Sequence, residues 1–424
     1  MIRFLIKGML RDHHRSLFPI IVVALGVLLT TVVYSFINGE INDMIDSNAR
    51  FETGHLRVMT RAYNNLASQM PNDLALTGIE KLMRSLNNEY PEYDWTARIK
   101  FVGLLDVPDE NGETKTQNPV FGLAVNLFNK RSNEVERLNL VKSLVRGRIP
   151  VKSGEILISE ELAKRMDTDI GNPVTLLSTN SSGAMAVQNF IVCGTVRFGI
   201  TAIDRGAMIT DLLDMQYTLE MPDGAAEILG FNKNNFYLPA DAEKIKINFN
   251  TNFNSSDDQF SPLMLTLGDQ NGLSEYLEYV NLIGFLIVGI FLIAMSLVLL
   301  NTGLMSGIRR YGEVGVRLAI GEAKNRIYKS LLYESVLIGI AGSVIGIALG
   351  LGITLYLQEI GIDISGTLRN SSIIMPNLLR AKISFTSFYI GFIPGLLATS
   401  IGTTFSGIQI FKRQTASLFK ELEA

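Results

Sequence analysis

The sequence predicts a membrane protein with four transmembrane α-helices, arranged as one plus three, and a large α+β domain between the first and second helix. Four segments of 21 to 28 residues each contain at most one charged residue. About 240 residues of mixed, turn-rich composition separate the first two of them. The whole chain is 47% hydrophobic and only 19% charged, whereas soluble domains are about 25% charged. This composition excludes a disordered chain.

The four apolar segments are each long enough to cross a bilayer, which takes about 20 residues. The predicted spans are residues 17–37, 280–304, 331–357 and 383–410. A buried core helix of a soluble protein is the alternative, but core helices rarely run this far without charge. The first segment exceeds the 7–15 apolar residues of a signal peptide, and no A-x-A site follows it. We therefore expect a retained anchor.

The distribution of charge predicts the orientation. The net charge of −3 divides into +3 for residues 1–16, +4 for 305–330, +1 for 411–424, and −11 for 38–279. Lys and Arg near span ends mark the cytoplasmic side. Both termini and the 305–330 loop are thus expected in the cytoplasm, and residues 38–279 and the short 358–382 loop on the outer side.

A basic stripe occupies the N-terminal segment. Arg3, Lys7, Arg11 and Arg15 recur every four residues, which predicts an interfacial helix over residues 1–16. The alternative, that these charges only set the topology, stays open.

The pattern of residues between the first two spans predicts an α+β domain. Strands are predicted at residues 155–159, 174–177, 190–196 and 244–249. Helices are predicted at 78–87 and 159–166, the second capped by Ser159. Within that second helix, Glu160 and Glu161 are expected to lie on the solvated surface.

The sequence offers little for catalysis, and we expect no catalytic residue and no metal site. His55 is the only histidine of the outer domain, so a Ser-His-Asp triad would have to be built on it. Cys193 is the only cysteine, which excludes a disulfide scaffold. No G-x-x-x-x-G-K-[ST] motif occurs. The chain is therefore expected to bind no cofactor directly, and any ATP would be bound by a partner.

The second cytoplasmic loop carries a specific motif. The run RRYGEVGVR at residues 309–317, followed by AIGEA at 319–323, resembles the ER-x-x-E-I-G-I-R-x-A-x-G-A signature of MacB/FtsX-type (type VII) ABC transporter permeases. Over the whole chain, the pattern resembles the lipoprotein-releasing LolC/LolE permeases more than the other groups. The residues that carry this second resemblance are Gly26-Val27, the run SFING at 35–39, residues 54–56, Phe198-Gly199, Asp204, and Asp214-Met215-Gln216. Residues 154–163 and 171–176 are similar to both groups.

Two departures from these families concern the substrate. The 309–321 loop is more similar to MacB and FtsX than to LolC and LolE, and Thr415 stands where the family usually has proline. FtsX has a much shorter outer loop, and a complete MacB carries its own ATPase domain.

The resemblance implies a permease that works by mechanotransmission in a bacterial inner membrane. A homodimer or heterodimer of permeases would act with two cytoplasmic ABC ATPase subunits, which bind ATP and Mg. The expected function is extraction of lipoproteins from the membrane for transfer to a periplasmic carrier, with no nucleic acid involved. Two alternatives are MacB-like export of peptides or small amphiphiles and FtsX-like signalling to outer-side hydrolases.

The resemblance also predicts which residues couple the chain to its ATPase. These are Glu313, Gly315, Arg317, Gly321, Glu322 and Arg326. The alternative is that the charges among them only set topology.

Two further groups of residues are predicted from the spans. A substrate cavity near the outer ends of the first two spans would be lined by Tyr34, Phe36, Ile37, Tyr276, Tyr279 and Ile283. Tyrosines at this depth are also ordinary interfacial anchors. Helix packing in the third span is assigned to Gly342, Gly346 and Gly350, because small residues at four-residue spacing allow close approach.

Overall fold

The computed structural model describes most of the chain. The described residues are 13–129, 131–234, 237–253, 258–270, 272–309, 316–367, 376–393, 395–397, 399–401 and 403–404. They divide into two compact units. The outer unit comprises residues 43–276 and 363–378. The apolar unit comprises the described residues within 1–42, 277–362 and 379–424.

Long helices build the apolar unit. The first apolar helix is His13–Asn48, the second Leu273–Arg309 and the third Lys324–Ile360. Among the described residues, three stretches are long and apolar enough to cross a membrane: Leu17–Thr53, Leu273–Val298 and Lys324–Ile360. A 37-residue helix is about 55 Å long, so these helices exceed the roughly 30 Å hydrocarbon core.

The predicted spans 17–37, 280–304 and 331–357 lie within these three helices. The fourth predicted span, 383–410, is only partly described, with a 3-10 turn at Phe385–Phe388 near its start. Residues 1–12 and 411–424 lie outside the described residues. The total of four spans therefore stays a prediction.

Fourteen strands and several short helices complete the described structure. The strands are β1 Leu56–Thr60, β2 Leu76–Thr77, β3 Tyr93–Pro108, β4 Thr114–Val125, β5 Leu144–Gly147, β6 Glu155–Ser159, β7 Pro173–Thr179, β8 Met185–Val196, β9 Ala207–Asp211, β10 Gly224–Ala225, β11 Glu227–Asn232, β12 Pro262–Thr266, β13 Ile362–Asp363 and β14 Leu378–Leu379. The helices of the outer unit are Arg61–Asn65, Ile79–Glu89, Glu134–Arg137, Leu140–Ser143, Glu160–Met166, Thr201–Asp204, Leu212–Thr218 and Pro239–Asn252.

One half of the outer unit is a ferredoxin-like sheet. Its strands lie in the order β12-β1-β11-β3, and every neighbouring pair is antiparallel. Helix Ile79–Glu89 lies in the connection from β1 to β3, and helix Pro239–Asn252 lies in the connection from β11 to β12. This β-α-β-β-α-β order is a split-βαβ arrangement, in which one sheet face packs on the two helices and the other is left for further contacts.

The other half is a closed barrel inserted between β3 and β11. Strand β3 pairs with β4, β4 with β9, β9 with β6, β6 with β8, β8 with β7, and β7 again with β3. Closure removes the exposed strand edges that an open sheet would present. The long strand β3 belongs to both halves, because its N-terminal part pairs with β11 and its C-terminal part with β7.

Most of the local predictions for the outer domain are confirmed. Strands β6, β7 and β8 cover the predicted segments, and helix Ile79–Glu89 covers most of 78–87. The Ser159 hydroxyl accepts a hydrogen bond from the Leu162 amide, as expected of an N-cap.

The predicted strand at residues 244–249 is wrong. This segment lies within helix Pro239–Asn252, which begins with proline in its first turn, a favoured position because proline is preset for a helix start. Ala242 and Phe249, seven residues apart and so two helical turns, are both buried, while Ile247 is exposed. The alternation of Ile245, Ile247 and Phe249 that suggested a strand is therefore not the pattern of burial.

Candidate functional site

A short turn precedes the third apolar helix and contains part of the predicted coupling segment. The Ile320 amide donates to the Val316 carbonyl, and the Glu322 amide to the Arg317 carbonyl. Gly321 ends this turn with φ of 92°, a left-handed conformation that favours glycine. Glu313 and Gly315 lie outside the described residues.

The surface of this turn is apolar as well as charged. Ile320 is 81% exposed and Val316 is 53% exposed, while Arg326 is exposed at the start of the third helix. Arg317 and Glu322 are half-buried, and Arg317 holds an interaction within the chain. The charges of this segment are part of its sequence motif, whereas the exposure of Ile320 is revealed only by the structure.

The glycines of the third apolar helix lie against the first. A Cβ on Gly346 would lie 2.5 Å from the Ala24 carbonyl oxygen, and one on Gly342 would lie 2.7 Å from Val23 Cβ. Gly350 is next along this line, where a Cβ would lie 3.0 Å from Thr31 Cβ. Since such distances leave no room for a side chain, the two helices approach backbone to backbone at all three positions.

Residues assigned to the cavity are divided between the two units. Tyr34, Phe36 and Ile37 lie on the first apolar helix, where all three are half-buried. A Cβ on Gly284 would lie 3.3 Å from Ile37 Cδ1, so the first and second apolar helices meet beside Ile283. Tyr279 is exposed on the second helix, and Tyr276 falls in the outer unit.

The segment that follows the first apolar helix is bound to the outer sheet by buried cations. Residues Ala49–Thr53 form a π-helical turn. Arg98 Nη1 lies 2.5 Å from the Arg50 carbonyl oxygen, and Lys100 Nζ lies 2.9 Å from the Glu52 carbonyl oxygen. Cations are favoured at the C-terminal carbonyls of a helix, so β3 caps this turn.

Carboxylates neutralise both cations inside the domain. Arg98 and Glu134 are fully buried and 2.9 Å apart. The Lys100 ammonium lies 2.8 Å from Glu52 and 3.2 Å from Glu227. Arg57 Nε is 2.6 Å from the other oxygen of Glu227. Because buried charges require pairing, the network fixes the turn and the sheet as one body.

Several residues of the LolC/LolE-like pattern have structural roles. The Asp204 carboxylate accepts hydrogen bonds from the amides of Phe198, Gly199 and Ile200. Asp214 accepts from the Ser153 hydroxyl at 2.5 Å and the Gly154 amide at 2.9 Å. These carboxylates therefore hold the loops between the strands of the barrel in place.

The predicted surface position of Glu160 is wrong. Glu160 is buried, and its Oε2 accepts from the Thr195 hydroxyl at 2.7 Å and from Arg146 Nε at 3.1 Å. Only Glu161 of the pair is exposed. The barrel strand β8 supplies Thr195, a contact that no local sequence pattern indicates.

The short outer loop predicted at residues 358–382 contributes to the outer unit. The Asn377 side-chain oxygen accepts from the Thr201 hydroxyl at 2.8 Å, and the Asn377 amide donates to the Gly199 carbonyl at 2.7 Å. Residues after the third apolar helix thus bind the loop that Asp204 holds.

His55 is a buried base in the outer unit. Burial and, to a smaller extent, the neighbouring positive charge of Arg137 together lower its pKa to about 4. Its Nδ1 accepts from the Asn232 amide at 3.0 Å, so the ring is neutral at pH 7. Across the described residues, no group of three or more His, Cys, Asp or Glu side chains could hold a metal ion.

Comparison with known proteins identifies the C-terminal part of the chain. Residues 285–415 match the family model of the FtsX-like permease C-terminal domain. This match, together with the relatives described below, confirms the resemblance to MacB/FtsX-type permeases that the loop motif predicted.

Three curated relatives are similar to parts of the chain. The lipoprotein-releasing system transmembrane protein LolC of Haemophilus influenzae is 20% identical over 284 residues, which are 64% of this chain and 65% of the relative. The macrolide export ATP-binding/permease protein MacB of Bdellovibrio bacteriovorus is 34% identical over 74 residues, or 18% of this chain and 11% of that protein. The macrolide export ATP-binding/permease protein MacB of Hyphomonas neptunium is 32% identical over 98 residues, or 23% of this chain and 14% of that protein.

A solved structure also matches weakly. The periplasmic region of MacB from Actinobacillus actinomycetemcomitans has a TM-score of 0.36 and 10% identity, covering 52% of this chain and 92% of the matched chain.

Proposed function

We propose that this chain is the membrane subunit of an ABC transporter, which extracts lipoproteins from the inner membrane for a periplasmic carrier. The similarity to LolC supports the substrate class, and the FtsX-like permease domain supports the role as a permease. ATP and Mg would be bound by two separate ATPase subunits on the cytoplasmic side, and a second permease would complete the dimer. The N- and C-termini would both be cytoplasmic.

The bonding of Arg98 and Lys100 to the turn Ala49–Thr53 carries the proposal. The first apolar helix runs without a break to Asn48, and the turn that follows is held by charges inside the outer sheet. A movement of this helix would therefore be passed to the outer domain instead of being absorbed by a flexible linker. Mechanotransmission would need this helix and the turn that follows it to move together.

The turn before the third apolar helix is the proposed docking surface for the ATPase. Ile320 and Val316 would insert into a groove of the ATPase, with Arg317, Glu322 and Arg326 beside them and Gly321 setting the backbone. Glu313 and Gly315 are proposed for the same role from the motif. Exposed apolar residues with a polar rim are typical of protein interfaces.

The path of the substrate is proposed to start between the first and second apolar helices. Tyr34, Phe36, Ile37, Tyr279 and Ile283 would face the acyl chains there. Tyr276 is proposed for the same cavity from the sequence.

The first experiment measures ATPase coupling. Replacement I320D in the full chain, co-expressed with a candidate partner ATPase that co-purifies with the parent protein, should abolish co-purification and the stimulation of ATP hydrolysis. The matched control I345A changes an exposed residue inside the third apolar helix and should leave both intact. Undiminished co-purification with I320D would contradict the docking surface.

The second experiment tests the substrate. Depletion of the protein should leave outer-membrane lipoproteins in the inner membrane, as followed by membrane fractionation. Normal lipoprotein sorting with impaired tolerance of macrolides or peptides would favour MacB-like export of small amphiphiles, the second candidate, which the two MacB matches support. Normal sorting with defective cell-wall cleavage would favour FtsX-like signalling.

A further inference from the structure

An apolar pocket lies on the outer unit, and none of its lining residues belongs to the proposed substrate cavity or ATPase surface. Its volume is about 300 Å³. The lining residues come from the turn after the first apolar helix, from strands β3, β4 and β9, and from the loop that Asp204 holds: Phe51, Glu52, Met70, Lys100, Phe121, Gly122, Leu123, Phe198, Ala202, Ile203, Arg205, Ala207, Met208 and Ile209.

The floor of the pocket is the outer face of the barrel. Phe121 lies opposite Ala207 and Leu123 opposite Ile209 in the parallel β4/β9 pair. These four side chains therefore share one face. Phe121 is 56% exposed, so apolar surface of this face is left open to water, and contiguous surfaces of this kind often mark binding sites.

The walls of the pocket are held rigidly. The Phe51 and Phe198 rings meet edge to face with their centroids 5.0 Å apart. The Asp204 carboxylate binds the amides of residues 198–200, and the Phe121 amide donates to the Gly206 carbonyl at 2.9 Å. The pocket is thus a preformed feature of the fold, as small-molecule sites usually are.

The charged side chains around the pocket differ in whether they have a partner within the protein. Lys100 and Glu52 neutralise each other at 2.8 Å. Arg205 is different, because its Nη2 is buried and finds no hydrogen-bond acceptor among the residues that the structure describes. Since Nη2 is closed off from solvent, the guanidinium would have to turn towards the pocket to pair with a ligand anion. A charge-assisted hydrogen bond to that anion would then satisfy the nitrogen.

The apolar floor continues onto an exposed strip of the barrel. Val102 of β3 lies opposite Phe121 of β4. Leu177 of β7 is paired with Leu104 of β3 on one side and with Val187 of β8 on the other. Val102, Leu104 and Val187 are all exposed. An acyl chain longer than the pocket could therefore extend along this strip.

We propose that this pocket binds a single-chain amphiphile with an anionic head group. The acyl chain would lie against Phe121, Leu123, Ile203 and Ile209, and the carboxylate or phosphate would accept from Arg205. The inference does not depend on the proposed function, because binding here requires neither the ATPase nor the carrier.

The test uses the full chain in phosphatidylcholine nanodiscs with a photoactivatable palmitate. Cross-linked peptides identified by mass spectrometry should contain residues 198–209 or 119–125. A photoactivatable hexadecanol of the same length should bind about tenfold more weakly, since it lacks the charge. Equal, unsaturable labelling by acid and alcohol, or labelling confined to the apolar helices, would overturn the proposal.

Variants separate a binding role from a structural one. Replacement R205Q should weaken palmitate binding about tenfold and remove the preference for acid over alcohol, whereas R205K should retain that preference. The variant A202F places a large side chain in the pocket and should abolish labelling of the protein by both probes. The control R84Q removes an exposed guanidinium of helix Ile79–Glu89. It should change neither the labelling nor the preference for acid over alcohol.

The source of the ligand is distinguished by competition. Displacement of the probe by unlabelled palmitate alone identifies a free fatty acid, and displacement by lysophosphatidylglycerol identifies a membrane lipid. Each supports the pocket. Unchanged labelling in A202F, with an unchanged thermal midpoint showing that the variant is folded, would contradict it.

Discussion

Lys100 binds Glu52 at two points: its Nζ lies 2.8 Å from the carboxylate oxygen Oε2 and 2.9 Å from the backbone carbonyl oxygen. The same ammonium is 3.2 Å from the fully buried Glu227. One side chain of β3 thus joins the turn after the first apolar helix to the interior of the ferredoxin-like sheet. This junction is the part of the molecule on which the proposed mechanism depends most.

The variant K100M should destabilise the outer unit strongly. Glu227 and Glu52 would each lose a cation, and breaking a buried ion pair costs roughly 3–5 kcal/mol. We expect the thermal midpoint of the full chain in detergent to fall by about 6–20 °C, as followed by intrinsic fluorescence. In an ATPase-coupled assay, lipoprotein release should fall further than this loss of folded protein accounts for.

The control for this variant is K115M, which breaks the exposed pair between Lys115 and Asp167. Exposed pairs contribute only about 0–1 kcal/mol, so the midpoint should move by less than about 3 °C. Equal effects of K100M and K115M would show that the junction is not a source of stability.

Packing between the first and third apolar helices should fail when Gly346 is replaced by valine. The Cβ would lie 2.5 Å from the Ala24 carbonyl oxygen, so the helices must separate at a cost of about 1–3 kcal/mol. A thermal shift assay of the detergent-solubilised protein measures this cost. Gly352 provides the control, because nothing lies within 4 Å of a Cβ there, and G352V should leave the midpoint nearly unchanged. A similar loss in both variants would argue for a general effect of valine.

Stability should decrease in mild acid because of His55. Its folded pKa is about 4, below the usual 6.5, since burial and then Arg137 oppose protonation. The unfolded chain therefore binds the proton first as the pH falls. Above about pH 6.5, His55 is neutral in both states and the free energy of unfolding has its full value. Between pH 6.5 and pH 4 that free energy decreases progressively, by about 3 kcal/mol in all.

The variant H55Q should be less sensitive to pH over this range, because glutamine can accept from the Asn232 amide without titrating. Thermal midpoints measured from pH 4 to pH 7 test the difference. Parallel pH profiles for the two proteins would mean that other groups determine the acid response.

The loop at residues 198–205 should loosen when Asp204 is replaced by alanine. Three amides lose their common acceptor, and each unsatisfied buried amide costs about 1–3 kcal/mol. Trypsin should then cleave after Arg197 or Arg205 at least tenfold faster than in the parent protein. The variant D223A removes an exposed carboxylate that accepts from the Glu80 amide, and should leave both cleavage rates unchanged. Protection of the loop in D204A would contradict the anchoring role.

The barrel and the ferredoxin-like sheet could not be predicted from the sequence. Strand β3 pairs with β7 and β11, which lie some 70 and 130 residues further along the chain, and such pairings leave no local pattern. The failure at residues 244–249 has a similar cause. The alternation of Ile245, Ile247 and Phe249 predicts a strand. The conformation is helical because Ala242 and Phe249, two helical turns apart, are the residues that become buried in the domain.

Charge was the least predictable feature of the outer domain. Glu160 was expected on the surface, and Arg98, Lys100 and Glu227 gave no signal, because a charged residue is normally exposed. Their burial depends on partners that other strands supply. The exposed apolar residues Ile320 and Phe121 are the opposite case, since only the tertiary structure shows which apolar side chains are left uncovered.

The sequence by itself determined three apolar helices, the Ser159 cap and the resemblance to MacB/FtsX-type permeases, because hydropathy, capping and a loop motif are local properties of the chain. The tertiary structure decided which charges are buried, which strands close the barrel, and how the turn after the first apolar helix is bound to the outer sheet. The physical reason is that pairing and burial depend on residues distant in the chain, whose approach is fixed only when the whole domain folds.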